Sequence, residues 1–123
     1  MNPAPWRLTG LIAVLLLASP AQAAESVVTQ EVQHLLTFVA ASGCTFVRNG
    51  TSYAADKASE HLASKYTYIS GRVKRAEDFI TYTASASSIT GQPYLVHCPN
   101  KAEQTSRAWL TTELLRYRQQ RNP

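Results

Sequence analysis

Beyond its first two dozen positions this 123-residue chain has no long apolar run, which argues against a spanning helix in its body, since such a helix needs about twenty consecutive apolar residues. Acids are scarce: eight Asp and Glu stand against twelve Lys and Arg, for a formal net charge of +4. With so few carboxylates, no pair facing one groove at glycosidase spacing can be assembled from the sequence. Adjacent Glu77 and Asp78 point about 100° apart on a helix, so they suit the positive end of a helix dipole better than an acid/base pair. Histidine is also sparse. His34, His61 and His97 fall one each on a helix, a helix and a strand, without the i, i+4 pairing that zinc sites use, so no metal site is expected. No G-x-S-x-G elbow occurs, which leaves catalytic residues unassigned, and nothing calls for a cofactor.

What the chain does have begins at its start. MNPAPWRLTGLIAVLLLASPAQA combines a short segment carrying Arg7, an apolar run from Leu8 to Ala18, and the small-residue triplet Ala21-Gln22-Ala23. This is the pattern of a secretory signal peptide over residues 1–23, cleaved between Ala23 and Ala24. The apolar run of about eleven residues is well short of a span, so no stable membrane insertion is expected after cleavage. Arg7 is the only charged residue removed, and the net charge of +4 becomes +3. The remaining chain, residues 24–123, is long enough for one domain around one core and not for two. A periplasmic or secreted location follows, and with it partners such as an envelope protein, a glycan or another anionic ligand rather than nucleic acid.

Only two cysteines are present, Cys44 and Cys98, both past the leader. In an oxidising compartment an even pair in a small domain reads as one disulfide. Closing a loop of that length is worth about 4 kcal/mol in the chain-entropy model.

Periodicity supplies the elements. Val28, Val32, Leu35, Leu36 and Val39 repeat at helical spacing and end at Gly43, predicting a helix over about 26–42. Two β-rich runs flank Asn49-Gly50, the strongest two-residue hairpin signal, pairing Phe46 with Tyr53 and Arg48 with Thr51. The Asn49-Gly50-Thr51 acceptor triplet is accordingly read as turn chemistry rather than glycosylation. Helical stripes follow over about 55–68 and from Ala76 to Ala84, then a Ser/Thr/Gly loop from Ser85 to Gln92, and a strand from Pro93 to Cys98. A last helix begins near Thr105 or Ser106. The expected fold is α+β: an antiparallel sheet of about three strands packed by about four helices on one face. If the disulfide joins the first and third strands as neighbours, Phe46 lies across from Val96 and Arg48 across from Tyr94, with the guanidinium over the Tyr94 ring. Arg116, Arg118 and Arg121, which no acid follows, read as a solvated helix end that suits its dipole.

One polar grouping stands out. His61 and Lys65 are four apart on one helical flank, one turn after the hairpin that presents Arg48. Folding of the Ser85–Gly91 loop over that end would bring Ser87 and Ser88, with Tyr94 beside Arg48, into an anion-binding pocket.

The blocks F-V-R-N-G (Phe46–Gly50), H-L-x-x-K (His61–Lys65), A-E-D-F-I (Ala76–Ile80) and S-x-S-S-I-T-G-x-P-Y (Ser85–Tyr94), in this order, resemble a family of small exported bacterial proteins of unknown function, the YfeK-like group. The resemblance spans about residues 28–118 and implies an exported single-domain protein; it supplies no reaction, cofactor or site. In place of a small or acidic residue ahead of A-E-x-F-I the chain has Lys74-Arg75, which leaves that helix without an obvious cap. The reading favours a non-enzymatic binding or interaction module. A small envelope hydrolase or lyase, or a purely structural envelope protein, are the competing classes.

Overall fold

The first stripe becomes one helix, α1 (Pro20–Ala41), with Val32, Leu35 and Val39 withdrawn from solvent. In this computed structural model, which describes residues 10–17 and 19–122, α1 starts at Pro20 rather than near Ser26. The reason is a capping box that the periodicity did not register. Ser19 Oγ accepts from the Gln22 N–H at 3.3 Å and Gln22 Oε1 from the Ser19 N–H at 3.4 Å, with Pro20 at the first helical position. The expected cleavage bond between Ala23 and Ala24 thus falls inside the first turns of α1. The segment carrying Arg7 and Leu8, and the end of the apolar run at Ala18, lie outside the described residues. At the other end, Ser42 Oγ donates to the Val39 carbonyl at 2.8 Å and Gly43 turns out of the helix at φ 67°.

Strands β1 (Thr45–Arg48) and β2 (Thr51–Ala54) form the expected hairpin in the expected register, Phe46 opposite Tyr53 and Arg48 opposite Thr51. Asn49 and Gly50 have φ of 51° and 76°, the pair of positive values that a type I′ turn requires. Helix α2 (Ala55–Ile69) follows β2 without a linker and continues into a short 3₁₀ turn, Ser70–Arg72. Helix α3 (Ala76–Thr83) solves its missing cap from within: Asp78 Oδ2 reaches back to accept the N–H groups of Lys74 at 2.9 Å and Arg75 at 3.1 Å.

After the serine-rich loop come β3 (Leu95–His97), β4 (Gln104–Thr105) and α4 (Ser106–Arg121). The sheet is antiparallel with order β2-β1-β3-β4, so the fold is α+β with four strands where three are expected. The extra strand is two residues long and lies in a polar connection that shows no strand pattern. β3 is shorter than expected, and Pro93 makes only an isolated bridge to Ala86. Phe46 pairs with Val96 across β1 and β3, and the Cys44–Cys98 disulfide lies two positions further along the same register, with a Cα–Cα distance of 4.2 Å.

Alternation along β1 and β3 buries Phe46 and Val96 and leaves Thr45 and His97 exposed, so one face of the sheet meets the core. That core is closed by Phe79 and Ile80 of α3 and by Leu110 and Leu114 of α4.

Two of the three arginines expected as a solvated end, Arg116 and Arg118, are tied to acids instead. Arg118 Nε and Nη2 fork onto Glu31 of α1 at 2.7 and 2.9 Å, and Nη2 also reaches Glu77 of α3 at 2.6 Å. Arg116 pairs with Glu113, whose other partner is His34 Nε2 at 2.8 Å. Glu31 and Glu113 are each 4% exposed, and charges that deep require partners. Arg116 and Arg118 are therefore matched by acids on α1, α3 and α4, while Arg121 stays exposed beside the Tyr117 ring.

Candidate functional site

At the end of β1 the sheet and α2 leave a pocket of about 440 Å³. Its floor is apolar, from Phe46, Val47, Ala58 and Leu62; its polar wall is Arg48, Tyr53, His61 and Tyr94. The hairpin sets Arg48 at the last position of β1, with Tyr53 its diagonal neighbour on the same sheet face. Helix α2 presents His61 from the opposite side.

These side chains form a continuous chain of contacts. Arg48 Nη2 donates to Tyr53 Oη at 3.2 Å, and Nη1 lies 3.0 Å from His61 Nε2 and 3.3 Å from Nδ1. Tyr94 Oη is 3.5 Å from His61 Nε2, and on its far side accepts from Lys65 Nζ at 3.1 Å. Lys65 also reaches the Ala86 carbonyl at 3.5 Å. The expected stacking of Arg48 on Tyr94 is not what forms. Arg48 lies over the Tyr53 ring, 5.2 Å from its centroid, while Lys65 takes the Tyr94 ring at 5.0 Å.

Electrostatics follow from this arrangement. Burial, and then the Arg48 and Lys65 charges, hold His61 below its ordinary 6.5, so the ring is neutral near pH 7. A guanidinium only donates, and a neutral imidazole offers the one lone pair it needs. The bond from Tyr53, with smaller help from the Tyr94 hydroxyl, keeps the Arg48 charge more firmly in place than on a free arginine. Among the described residues neither Arg48 nor Lys65 lies within ion-pair distance of a carboxylate. Glu60 lines the pocket, but it is paired with Lys57 at 3.3 Å and both are largely exposed.

Of the residues singled out from sequence, Arg48, His61, Lys65 and Tyr94 converge, with Lys65 behind Tyr94 rather than on the pocket wall. Ser87 and Ser88 do not line it. Ser87 is buried and its oxygen is spent on the loop itself, accepting from Asn49 Nδ2 at 3.1 Å and from the N–H groups of Ile89 and Thr90 at 3.2 and 3.3 Å. Ser88 faces solvent. The serine loop contributes instead by locking to the hairpin turn through Asn49. Tyr53 is the wall residue that the sequence reading left out. Its signal was present, because period-two alternation puts it on the face that carries Arg48.

Residues 26–118 match a family of unknown function, DUF5329. The chain belongs to this family. DUF5329 thus covers all four helices and all four strands except the first turns of α1 and the end of α4. The chain is also similar to an uncharacterized protein, YfeK, of Salmonella typhimurium strain LT2, with 48% identity over 50 residues, 41% of this chain and 42% of that protein. The matched stretch therefore spans less than half of the relative's length. No solved structure matches. Among the described residues, no helix is long and apolar enough to cross a membrane.

Proposed function

We propose that this DUF5329 protein is an exported binding module, periplasmic or secreted, which holds an anionic group of an envelope component in the pocket between β1, β2 and α2. The observation that carries the reading is the convergence of Arg48 and Lys65, two cations without a carboxylate partner among the described residues, on the Tyr53 and Tyr94 hydroxyls and a neutral His61. Water-facing cations carry no such fixed polar partners, whereas a site for an anion needs its donors held ready. The pocket volume, about 440 Å³, lies within the range of small-molecule sites. Titrating the full chain with sulfate tests this: amide resonances of Arg48, Tyr53 and His61 shift while those of α4 stay, and no shift at these positions sinks the reading.

A small hydrolase or lyase is the second reading, supported by the 3.5 Å approach of the Tyr94 hydroxyl to His61 Nε2. Glu60, the one acid on the lining, is paired with Lys57 and makes no hydrogen bond to the ring, which favours binding over turnover. For a purely structural protein, Arg48→Ala would lower thermal stability and move nothing else.

Export is supported by the leader pattern around Arg7 and Ala21-Gln22-Ala23. N-terminal sequencing of the protein recovered from the periplasm should read from Ala24. An intact Met1 there would remove the proposal.

A further inference from the structure

The donors and acceptors of the pocket wall are unequal. The Tyr94 oxygen accepts from Lys65 and the Tyr53 oxygen accepts from Arg48, so each phenol has its own hydrogen left to give. Donation into a hydroxyl from a cation also makes that hydroxyl a better donor. Arg48 Nη1 lies 3.0 Å from Nε2 and 3.3 Å from Nδ1 of His61, so whichever ring nitrogen carries the lone pair already faces a donor, and the other supplies an N–H. Arg48 retains N–H groups beyond the two it uses. Glu60, the one acid on the lining, is occupied by Lys57. The wall therefore wants acceptors and has almost nothing to offer a ligand's donors.

Geometry narrows the class. The donors come from the end of β1, from β2, from α2 and from the residue preceding β3, so they approach from different directions. A carboxylate presents two oxygens in one plane and suits a single fork; a terminal phosphate presents three strong acceptor oxygens that diverge. Two fixed cations also match the charge of a phosphomonoester, close to −2 at neutral pH. The volume is larger than a phosphate needs, and the floor of Phe46, Val47, Ala58 and Leu62 is apolar, which leaves room for a ring-sized body beneath the head group.

Resting on the anion-binding reading, we infer that the pocket takes a terminal phosphomonoester carried on a ring-sized or otherwise apolar body. The head group is bound by Arg48, Tyr53, Tyr94 and His61, with Lys65 acting through Tyr94 as a positioning residue. The phosphate can come from a soluble ester or from a lipid or glycan end; the recognising chemistry is the same.

Calorimetry on the full, disulfide-bonded chain with phenyl phosphate, benzoate and inorganic phosphate tests it. Phenyl phosphate should bind about tenfold tighter than benzoate, and more tightly than inorganic phosphate because only the ester covers the apolar floor. Benzoate equal to or better than phenyl phosphate overturns the phosphate assignment and leaves anion binding standing. If none of the three probes, nor sulfate, reaches the pocket, the binding reading itself falls. Tyr94→Phe keeps the ring and its packing and removes one donor. It should weaken phenyl phosphate about fivefold with little change in Tm; a shift in Tm with unchanged affinity overturns the role given to Tyr94. Flotation with phosphatidylcholine vesicles doped with phosphatidic acid, reversed by phenyl phosphate, would place the phosphate on a lipid. Binding confined to the soluble ester would place it on a metabolite or glycan. Both support the head-group assignment.

Discussion

Arg48 Nη1 stands 3.0 Å from His61 Nε2 and 3.3 Å from Nδ1, and only an uncharged imidazole has a lone pair to offer a permanent cation placed there. The ring's own titration should therefore have its midpoint below the ordinary 6.5, from burial and from the Arg48 and Lys65 charges. Arg48→Ala removes one of those charges and should move the midpoint up, as read from the His61 ring proton by NMR. A downward shift or none would contradict the contact. Because the folded state holds His61 low, the unfolded chain takes up the proton first. Stability from this group is complete well above pH 6.5, is lost as pH falls below it, and stops falling once the folded ring also protonates.

An anion seated beside that ring reverses the bias, because negative charge favours the imidazolium. Binding then takes up a proton, and sulfate, whose own charge is constant over this range, should bind more tightly as pH falls through the range just below neutral. His61→Gln should flatten the pH dependence without abolishing affinity. An unchanged slope in that variant would show that another group is responsible.

Arg118 should behave as a tie between three helices. Arg118→Ala leaves Glu31, 4% exposed, with its charge unanswered, at a cost of about 3 kcal/mol; the figure sits at the low end for a broken buried pair because the guanidinium is about a third exposed. Arg118→Lys should recover only part of this, since an ammonium cannot fork onto Glu31 while reaching Glu77. Urea denaturation monitored by tryptophan fluorescence reads both. The ties also predict acid sensitivity. Glu77, held low chiefly by Arg118, and Glu113, held low chiefly by Arg116, contribute stability that is full above the ordinary 4.5 and lost as pH falls through their lower folded values.

Removing the disulfide with Cys44→Ala and Cys98→Ala together should cost about 4 kcal/mol in the chain-entropy model, since the cysteines are 54 positions apart. The denaturant midpoint of the double variant checks it. A midpoint equal to that of the oxidised protein would mean that β1 and β3 pair as firmly without the bridge.

Asn49 has two duties that can be separated. Asn49→Gly keeps a residue that tolerates positive φ but loses the bonds to Ser87 and Thr90. Hydrogen exchange should quicken at the Ser87 and Gly91 amides, which bond within the loop, and hardly change in β1 and β2. Equal quickening in the strands would mean that the turn, not the lock, had been weakened.

The legible parts of the fold are those announced by a local pattern or by a residue type that has a single possible partner. Asn49-Gly50 declares its turn, and the pairing of Phe46 with Val96 follows from two cysteines on adjacent strands. His61 and Lys65 share a flank because they are four apart. What stayed hidden needs partners far apart in sequence. Arg118 meets Glu31 and Glu77 across 87 and 41 positions, so its arginine looked like a free helix end. β4 is two residues whose only pattern is pairing with Leu95 and Val96. The choice of Tyr53 over Tyr94 by Arg48 is an intermediate case. Both rings are within reach of that position, and Lys65 decides the matter by occupying Tyr94 from α2.

Phe46 is only 7% exposed, yet it floors the pocket while its ring meets Trp109 edge-on at 5.5 Å. One side chain thus belongs to the cavity and to the interior, as do Ala58 and Leu62. A substitution there that reshapes the cavity also loosens the interior, and one that rescues folding also reshapes the cavity. Change at lower structural cost is left to the rim and the polar wall, where Lys57, Tyr53 and Arg48 stand outside the buried core.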